Sequence, residues 1–525
     1  MLNSGCSDKK ENTTNIIQEP KNALSVLKEL KNKNLNLNGQ QLAQIYCGTC
    51  HIFPEPSLLN KEIWINKVLP NMGVRLGIQS EHFTSAYVNM TQDEIMRVST
   101  AEVYSFEPVI SNENWEKIVN YYNDEAPETT LAQDTKAEVT LELPGFKVVS
   151  PALEITSPSL TTLIRLNEKD NSLYIGSRSN FLRKYDSKTY ELLDSIELES
   201  PPSDIFFKNE EITLLTMGKM DPSDLKTGSL YEYNLINNNK NKSLLNGLSR
   251  PVQFVKTDLN QDEMDDLIIC NFGNNVGSLS WYENLGDTFQ EHVIRKMPGA
   301  RRAIVYDLNN DGLPDILALM TQGQEGIFVY YNQGKGKFKE EILLAFPPVY
   351  GSSDFQLIDF NNDEALDIIY TNGDNADFSY SHKNYHGVRI FLNDGNNNFS
   401  EKWFYPMHGA SRAIAADFNQ DGNIDIAAIS FFPDYENAPN ESFIYFENKG
   451  DLNLIPYSFK EANTGRWLTM EVGDLDQDGD QDLVLGSYIL GPVPAGSPLK
   501  EKWMKNSQPF LILQNQVKNM KLQKN

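Results

Sequence analysis

The chain is poor in cysteine and histidine, with four of the first and six of the second in 525 residues. Cys6, Cys47, Cys50 and Cys270 are too few and too unevenly spaced to make a disulfide framework. Positive charge is also scarce: 46 Lys and Arg stand against 72 Asp and Glu, for a net charge of −26. That balance excludes nucleic acid as a partner, because binding phosphate needs a basic face. No run of 18 apolar residues occurs, so no stretch reads as a membrane-spanning helix. A Ser/His/Asp set, a phosphate-cradling glycine loop and an HExxH zinc motif are likewise missing.

What is present divides the chain, which is too long for one ordinary core. Residues 1–38 read as a polar start and tether with one short helix through Leu24, Leu27 and Leu30. Residues 39–127 have a helical period: Leu42, Ile45 and Tyr46 form a stripe running into Cys47. Further on, Ser111 caps a helix whose stripe is Trp115, Ile118, Val119 and Tyr122, and Pro127 ends it. Residues 128–144 are a linker, 145–517 are strand and turn, and 518–525 are a polar tail.

The long strand region repeats itself. Five copies of D-x-[ND]-x-D-x-x-x-D are spaced 49 to 58 residues apart. The first three place oxygens at Asp258, Asn260, Asp262 and Asp266, at Asp307, Asn309, Asp311 and Asp315, and at Asp359, Asn361, Asp363 and Asp367. The last two place them at Asp417, Asn419, Asp421 and Asp425, and at Asp474, Asp476, Asp478 and Asp482. Alternate side chains of a tight loop converge on one centre, and hard oxygens in that number suit Ca²⁺, so up to five calcium ions are expected. Gly312, Gly422 and Gly479 keep the turn glycine, whereas Glu263 and Glu364 replace it and predict weaker loops. A short apolar strand and then a hairpin follow each of the early copies, giving units the size of a propeller blade. Two further units, near Leu163 and Ile205, lack the carboxylates and bring the count to seven. The last unit is one strand short, and residues 145–151 match the missing strand.

Cys47-Gly48-Thr49-Cys50-His51 has the spacing for covalent haem attachment. Two thiols one helical turn apart can add to the two vinyl groups of one haem c, with His51 as proximal iron ligand. Chance placement of this chain's own cysteines and histidines would produce the motif in roughly 1 of 3,000 chains. Neither the extra ligands of a zinc knuckle nor the βαβ setting of a redox dithiol accompanies it. Cys270, in an apolar run, reads as a small buried hydrophobe. Arg250, Arg301, Arg302, Arg412 and Arg466 lead into inner strands, on the face opposite the carboxylate loops. With His408 they either form an anion or partner face or pair with neighbouring blades and fix their packing.

On CGTCH, Trp64, LPNMG and WEKIVNYYNDEAP, residues 39–127 resemble small bacterial cytochrome c domains. That resemblance implies Met72 as distal ligand, with Met90, Met96, His82 or an open position as the alternatives. On the carboxylate loops, residues 145–517 resemble the FG-GAP or VCBS repeats of integrin-like seven-bladed propellers, which implies that the calcium is structural. The start, with Ser4-Gly5-Cys6 before a polar stretch, resembles the end of a bacterial lipoprotein signal, although Asn3 takes a usually apolar place. It implies lipidation at Cys6, the one expected membrane attachment, and a place in the periplasm or on the outer cell surface. The expected fold is therefore multidomain: a small all-α cytochrome c domain, then an all-β seven-bladed propeller. Three functions follow as expectations. The first is electron transfer to a redox protein or surface partner. The others are a haem-dependent oxidoreductase with a substrate site on the propeller face, and a cell-surface binding module for glycans or proteins.

Overall fold

A computed structural model describes residues 23–31, 36–82, 86–153, 158–237, 239–375, 381–491, 498–506 and 508–518. The first strand, β1 (Phe146–Val149), precedes six antiparallel sheets of four consecutive strands each: β2–β5, β6–β9, β10–β13, β14–β17, β18–β21 and β22–β25, spanning 161–197, 202–248, 251–295, 300–345, 352–406 and 410–457. The seventh sheet runs β26 (Trp467–Gly473), β27 (Asp482–Ser487), β28 (Phe510–Asn515) and then back to β1. Phe146 lies opposite Asn515 and Val149 opposite Ile512. The ring is thus a seven-bladed all-β propeller. Its last blade is completed by the strand that residues 145–151 were expected to supply, so β28 is paired on both sides.

The second strand of a blade explains why the ring packs. In β11 (Asp266–Asn271), β15 (Asp315–Met320), β19 (Asp367–Asn372) and β23 (Asp425–Ser430) every residue is buried. Successive side chains point to opposite faces, and each face meets a different neighbour. Ile316, Ala318 and Met320 share a core with Ile268 and Cys270, while Leu317 and Leu319 share one with Ile368 and Tyr370. A strand buried on both sides must be apolar throughout, which is what sequences such as ILALM and IAAIS provide. Each inner strand carries a bulge just after its opening residue, for example between Thr161 and Leu163 and between Trp467 and Thr469.

The segment before β1 is helical: α1 (Ala23–Lys31), α2 (Gly39–Gly48), a continuous α3 (Lys61–Ile63, Trp64–Val68 and Leu69–Arg75), α4 (Gln92–Thr100) and α5 (Asn112–Glu125). Asn38 and Gln41 close a capping box at the start of α2, and the Ser111 hydroxyl accepts from the Asn114 amide at the start of α5. Leu42, Tyr46, Trp64, Leu69, Ile118 and Tyr122 form the buried cluster these helices share.

Two boundaries differ from the sequence expectation. Leu27 is fully buried in that cluster and Leu30 packs on it, so the end of the expected tether belongs to the helical unit. The expected linker is fastened to blade six, since Thr140 pairs with Tyr457 and Lys136 Nζ lies 2.7 Å from Glu441 Oε2. Both readings rested on polar composition, which hides a few well-placed apolar or charged anchors. Cys6 lies outside the described residues.

Candidate functional site

Cys47, Cys50 and His51 leave the C-terminal end of α2. Both cysteines are free thiols and pack against the helical core beside Met72, Phe53 and Trp115. Burial pushes the Cys47 thiol up to about 12, Cys50 adds to the rise, and a hydrogen bond with Tyr122 opposes it. Burial also raises Cys50, against the pull of Arg75. Neither thiol therefore has the lowered pKa of a dithiol built for exchange chemistry. His51 Nδ1 lies 2.9 Å from the Ile52 carbonyl, which can only accept, so Nδ1 donates and Nε2 keeps its lone pair. Burial lowers the His51 pKa, although the Ile52 contact opposes this, and Arg75 lowers it further. The loop after the motif is tied down by Tyr122, whose hydroxyl donates to the Pro54 carbonyl at 2.7 Å, and by Trp64 Nε1, which donates to Pro56 at 2.8 Å.

Of the methionines, Met72 on α3 touches the cluster that holds both thiols. Met96, on α4, is 63% exposed. Met90 is half-buried and His82 is exposed, and neither is part of that cluster.

The five carboxylate loops share one geometry. Position 1 accepts two backbone N–H groups: Asp307 Oδ1 takes Asp311 N at 3.0 Å and Oδ2 takes Gly312 N at 2.8 Å, with Asp258, Asp359, Asp417 and Asp474 doing the same. Asn260, Asn309, Asn361, Asn419 and Asp476, and then Asp262, Asp311, Asp363, Asp421 and Asp478, each accept a backbone amide two residues on. In the last loop oxygens of Asp474, Asp476 and Asp482 lie within 4.8 Å of one another.

Position 9 does more than line the loop. Asp266, Asp315, Asp367, Asp425 and Asp482 are at most 1% exposed, and their Oδ1 atoms accept from the backbone of Asn284, Asn332, Asn393, Asn448 and Asn515 at 2.7–2.8 Å. Each of these carboxylates thus staples its loop to the end of the third strand. Burial raises all five, and so do neighbouring aspartates; Asp425 rises to about 6 and Asp482 to about 7. Crowded carboxylates of this kind are stabilised by a cation.

The arginines are placed on the expected face but not free on it. Arg250 donates to Met220 and Gly273 carbonyls, and Arg301 to the Ser353 carbonyl. Arg302 Nη1 lies 2.9 Å from Asp354 Oδ1, and Arg412 Nε lies 3.6 Å from the other oxygen of the same carboxylate. Arg466 is 1% exposed, donates to Phe431 and Leu490 carbonyls and stacks on the Phe431 ring at 3.7 Å. Of the two readings the sequence left open, these contacts match blade packing: the guanidinium groups link blades and connectors. His408 lies apart from them, 3.3 Å from the Gln133 amide.

Instead, the helical segment meets the propeller on that face. Glu94, 5% exposed on α4, accepts from the Ser223 hydroxyl at 2.6 Å and the Asp224 amide at 3.0 Å, and Arg97 donates to Ser249. Burial works against the Glu94 charge, but hydrogen bonds from Ser223, Thr91 and Asp224 outweigh it and pull the carboxyl down to about 2. Sequence reading missed Glu94, and it also missed His382, His386 and Asp434. A signal for the histidines existed, since three of the chain's six fall between 382 and 408.

Comparison with known proteins agrees with the loops. The FG-GAP-like repeat model matches residues 258–318 and 307–370. The T-cell immunomodulatory protein homolog of Plasmodium falciparum (isolate 3D7) is 27% identical over 139 residues, 23% of this chain and 18% of that protein. Its namesake from Plasmodium yoelii yoelii is 32% identical over 137 residues, 23% of this chain and 19% of that protein. The chain thus spans less than a fifth of the length of these curated relatives. Among solved structures, the Neurospora crassa Pan2 WD40 domain is similar at 11% identity and a TM-score of 0.40, over 63% of this chain and 86% of that one. The Myceliophteria thermophila Cps50 (Swd1) β-propeller domain is similar at 10% identity and a TM-score of 0.41, over 70% and 98%. The chain carries FG-GAP repeats on a seven-bladed β-propeller.

Proposed function

We propose that the protein is an extracytoplasmic c-type cytochrome that transfers electrons, with the propeller as a calcium-stabilised body that docks a redox partner. The observation that carries this is the Cys47–His51 turn, with two half-buried thiols one turn apart and a histidine whose Nδ1 is already committed. That donor set fits one haem. Cys47 and Cys50 would hold it by thioether bonds, His51 would offer Nε2 to the iron, and Met72, in the same cluster as the thiols, is the residue that would serve as second ligand. When bound, the haem supplies one-electron transfer. The chain's own residues do the positioning: Ile52 orients His51, and Tyr122 and Trp64 fix the loop behind it. Calcium in the five loops neutralises carboxylates that burial otherwise penalises. Lipidation at Cys6 is the proposed membrane attachment.

Expression with a haem-attachment system should give a reduced haem c spectrum, and Cys47→Ala or Cys50→Ala should leave the haem extractable by acidic acetone. A protein with no Soret band would overturn the reading. Met72→Ala should remove the weak methionine-to-iron band; its loss in Met90→Ala instead would reassign the ligand. The FG-GAP repeats favour a second reading, a surface binding module in which the propeller is the working part. That reading requires partner capture to survive Cys47→Ala and Cys50→Ala unchanged.

A further inference from the structure

We propose that His382, His408 and Asp434 form a binding site for a divalent transition-metal ion of the zinc class, independent of the haem and calcium readings. One donor atom from each residue lies within 4.8 Å of the others, and His382 Nδ1 is 3.9 Å from Asp434 Oδ2. The residues come from three connections, between β19 and β20 (Gly387–Asn393), between β21 (Phe399–Pro406) and β22 (Ala410–Ala416), and between β23 and β24 (Phe443–Asn448). All three leave the blades at the face opposite the carboxylate loops, so the site is separate from those loops.

The spacing is wrong for direct bonding and right for an ion. At 3.9 Å, His382 and Asp434 are too far apart for a hydrogen bond. Two donors bound to one zinc at about 2.1 Å each can be no more than about 4.2 Å apart, so small side-chain movements close the set around a cation. Imidazole nitrogens with one carboxylate select zinc-class metals over calcium, and three protein donors leave a position open for water or another oxygen ligand.

The surroundings support binding. Asp434 is pre-oriented by its own turn, accepting from the Glu436 and Asn437 amides at 3.1 and 3.0 Å and from the Asn437 side chain at 2.9 Å. Burial opposes its charge, but those bonds and His382 hold its carboxyl below the usual range. The His382 and His408 rings stack at 4.4 Å. The neighbouring cations are engaged elsewhere: Lys136 lies 2.7 Å from Glu441, Lys383 donates to Asn375 at 2.6 Å, and Arg389 pairs with Glu401 at 3.0 Å. Beside the cluster, His386 is 1% exposed and its Nε2 has no hydrogen-bond partner. Burial, with the Lys383 charge nearby, keeps His386 neutral.

The test is titration of the full-length chain with Zn²⁺ and Co²⁺ in millimolar calcium, which competes for any oxygen-only site in the loops. One equivalent should bind, with Co²⁺ giving ligand-field bands but no thiolate charge-transfer band. His382→Ala, His408→Ala and Asp434→Asn should each weaken binding beyond the roughly 10–100-fold that losing an outer hydrogen-bond partner costs. Their haem spectra should stay unchanged, which separates this site from the haem reading. His382 is 38% exposed at its side chain, so His382→Ala is expected to fold, and an unchanged melting temperature without metal checks this. A cobalt spectrum with thiolate character, or wild-type affinity in His382→Ala and His408→Ala, would overturn the proposal.

Discussion

Blades one and two reach the same four-stranded geometry as blades three to seven without the carboxylate loops. In blade two the inner hairpin turns tightly between Lys208 and Glu211, with Asn209 at φ 54°. In blade one Ser172, fully buried, stands at the start of the second strand, where the later blades place aspartate. The later blades bring a carboxylate into that position and then satisfy it with the third strand's backbone. Carboxylate loops are therefore not needed to make a blade. They exchange a turn without a buried carboxylate for a buried anion that fastens loop, second strand and third strand together, at the cost of charge crowding that the proposed calcium would relieve.

The largest effect should come from the strand that completes blade seven. Deleting residues 145–151 removes the β1–β28 pairing and the packing of half-buried Phe146 and Val148, and should lower stability by more than about 5 kcal/mol, beyond a single large core truncation. An unchanged urea midpoint would refute closure by β1. Next, Asp367→Ala should cost about 3 kcal/mol, because two buried backbone N–H groups, of Phe360 and Asn393, lose a charged acceptor. The matching Ser172→Ala in blade one should cost only about 1 kcal/mol. Equal costs in urea melts would erase the distinction between the two kinds of blade.

Chelation should rank third. Calcium at about 100 times its dissociation constant is worth about 2.7 kcal/mol per site. EDTA should lower the melting temperature and speed amide exchange in blades three to seven while leaving blades one and two unchanged. Faster exchange in blades one and two as well would show that the loops do not act locally.

Smaller still, Glu263 and Glu364 hold φ 68° and 71° where Gly312, Gly422 and Gly479 stand in the other loops. Replacing either by glycine should stabilise the protein by about 1 kcal/mol, the strain an L-residue bears there. A loss instead would mean that those side chains act in the loop. On the opposite face, Glu94 has its carboxyl lowered to about 2 from an ordinary 4.5, so its contribution is complete above 4.5 and disappears as pH falls toward 2. Exchange protection of α4 should fall across that window in the native chain and be low at every pH in Glu94→Ala. A pH-independent α4 in the native chain would remove Glu94 as its anchor.

Much of the fold was legible because its signals are local. Strands such as DILALM and DIAAIS show burial on both faces, and the five aspartate patterns mark the turns between first and second strands. The strand from 145 to 151 could be assigned because its pattern repeats the other outer strands. The second role of Asp266 and its equivalents could not be read, because the accepting bond goes to a backbone amide 17 to 33 residues away, with no side chain to mark it. The arginines stayed open between a partner face and blade packing because the sequence counts guanidinium groups but not the carbonyls and the single carboxylate, Asp354, that hold them.

The sequence by itself determined the blade count, the loop positions, the closing strand and the Cys47–His51 spacing, since each lies within a stretch of contiguous residues whose period or spacing carries the information. The tertiary structure alone decided that Leu27 joins the helical core, that Glu94 ties that segment to blade two, and that His382, His408 and Asp434 meet. These contacts join residues from separate elements, and their distances are set by how closed blades pack side by side, which no local pattern encodes.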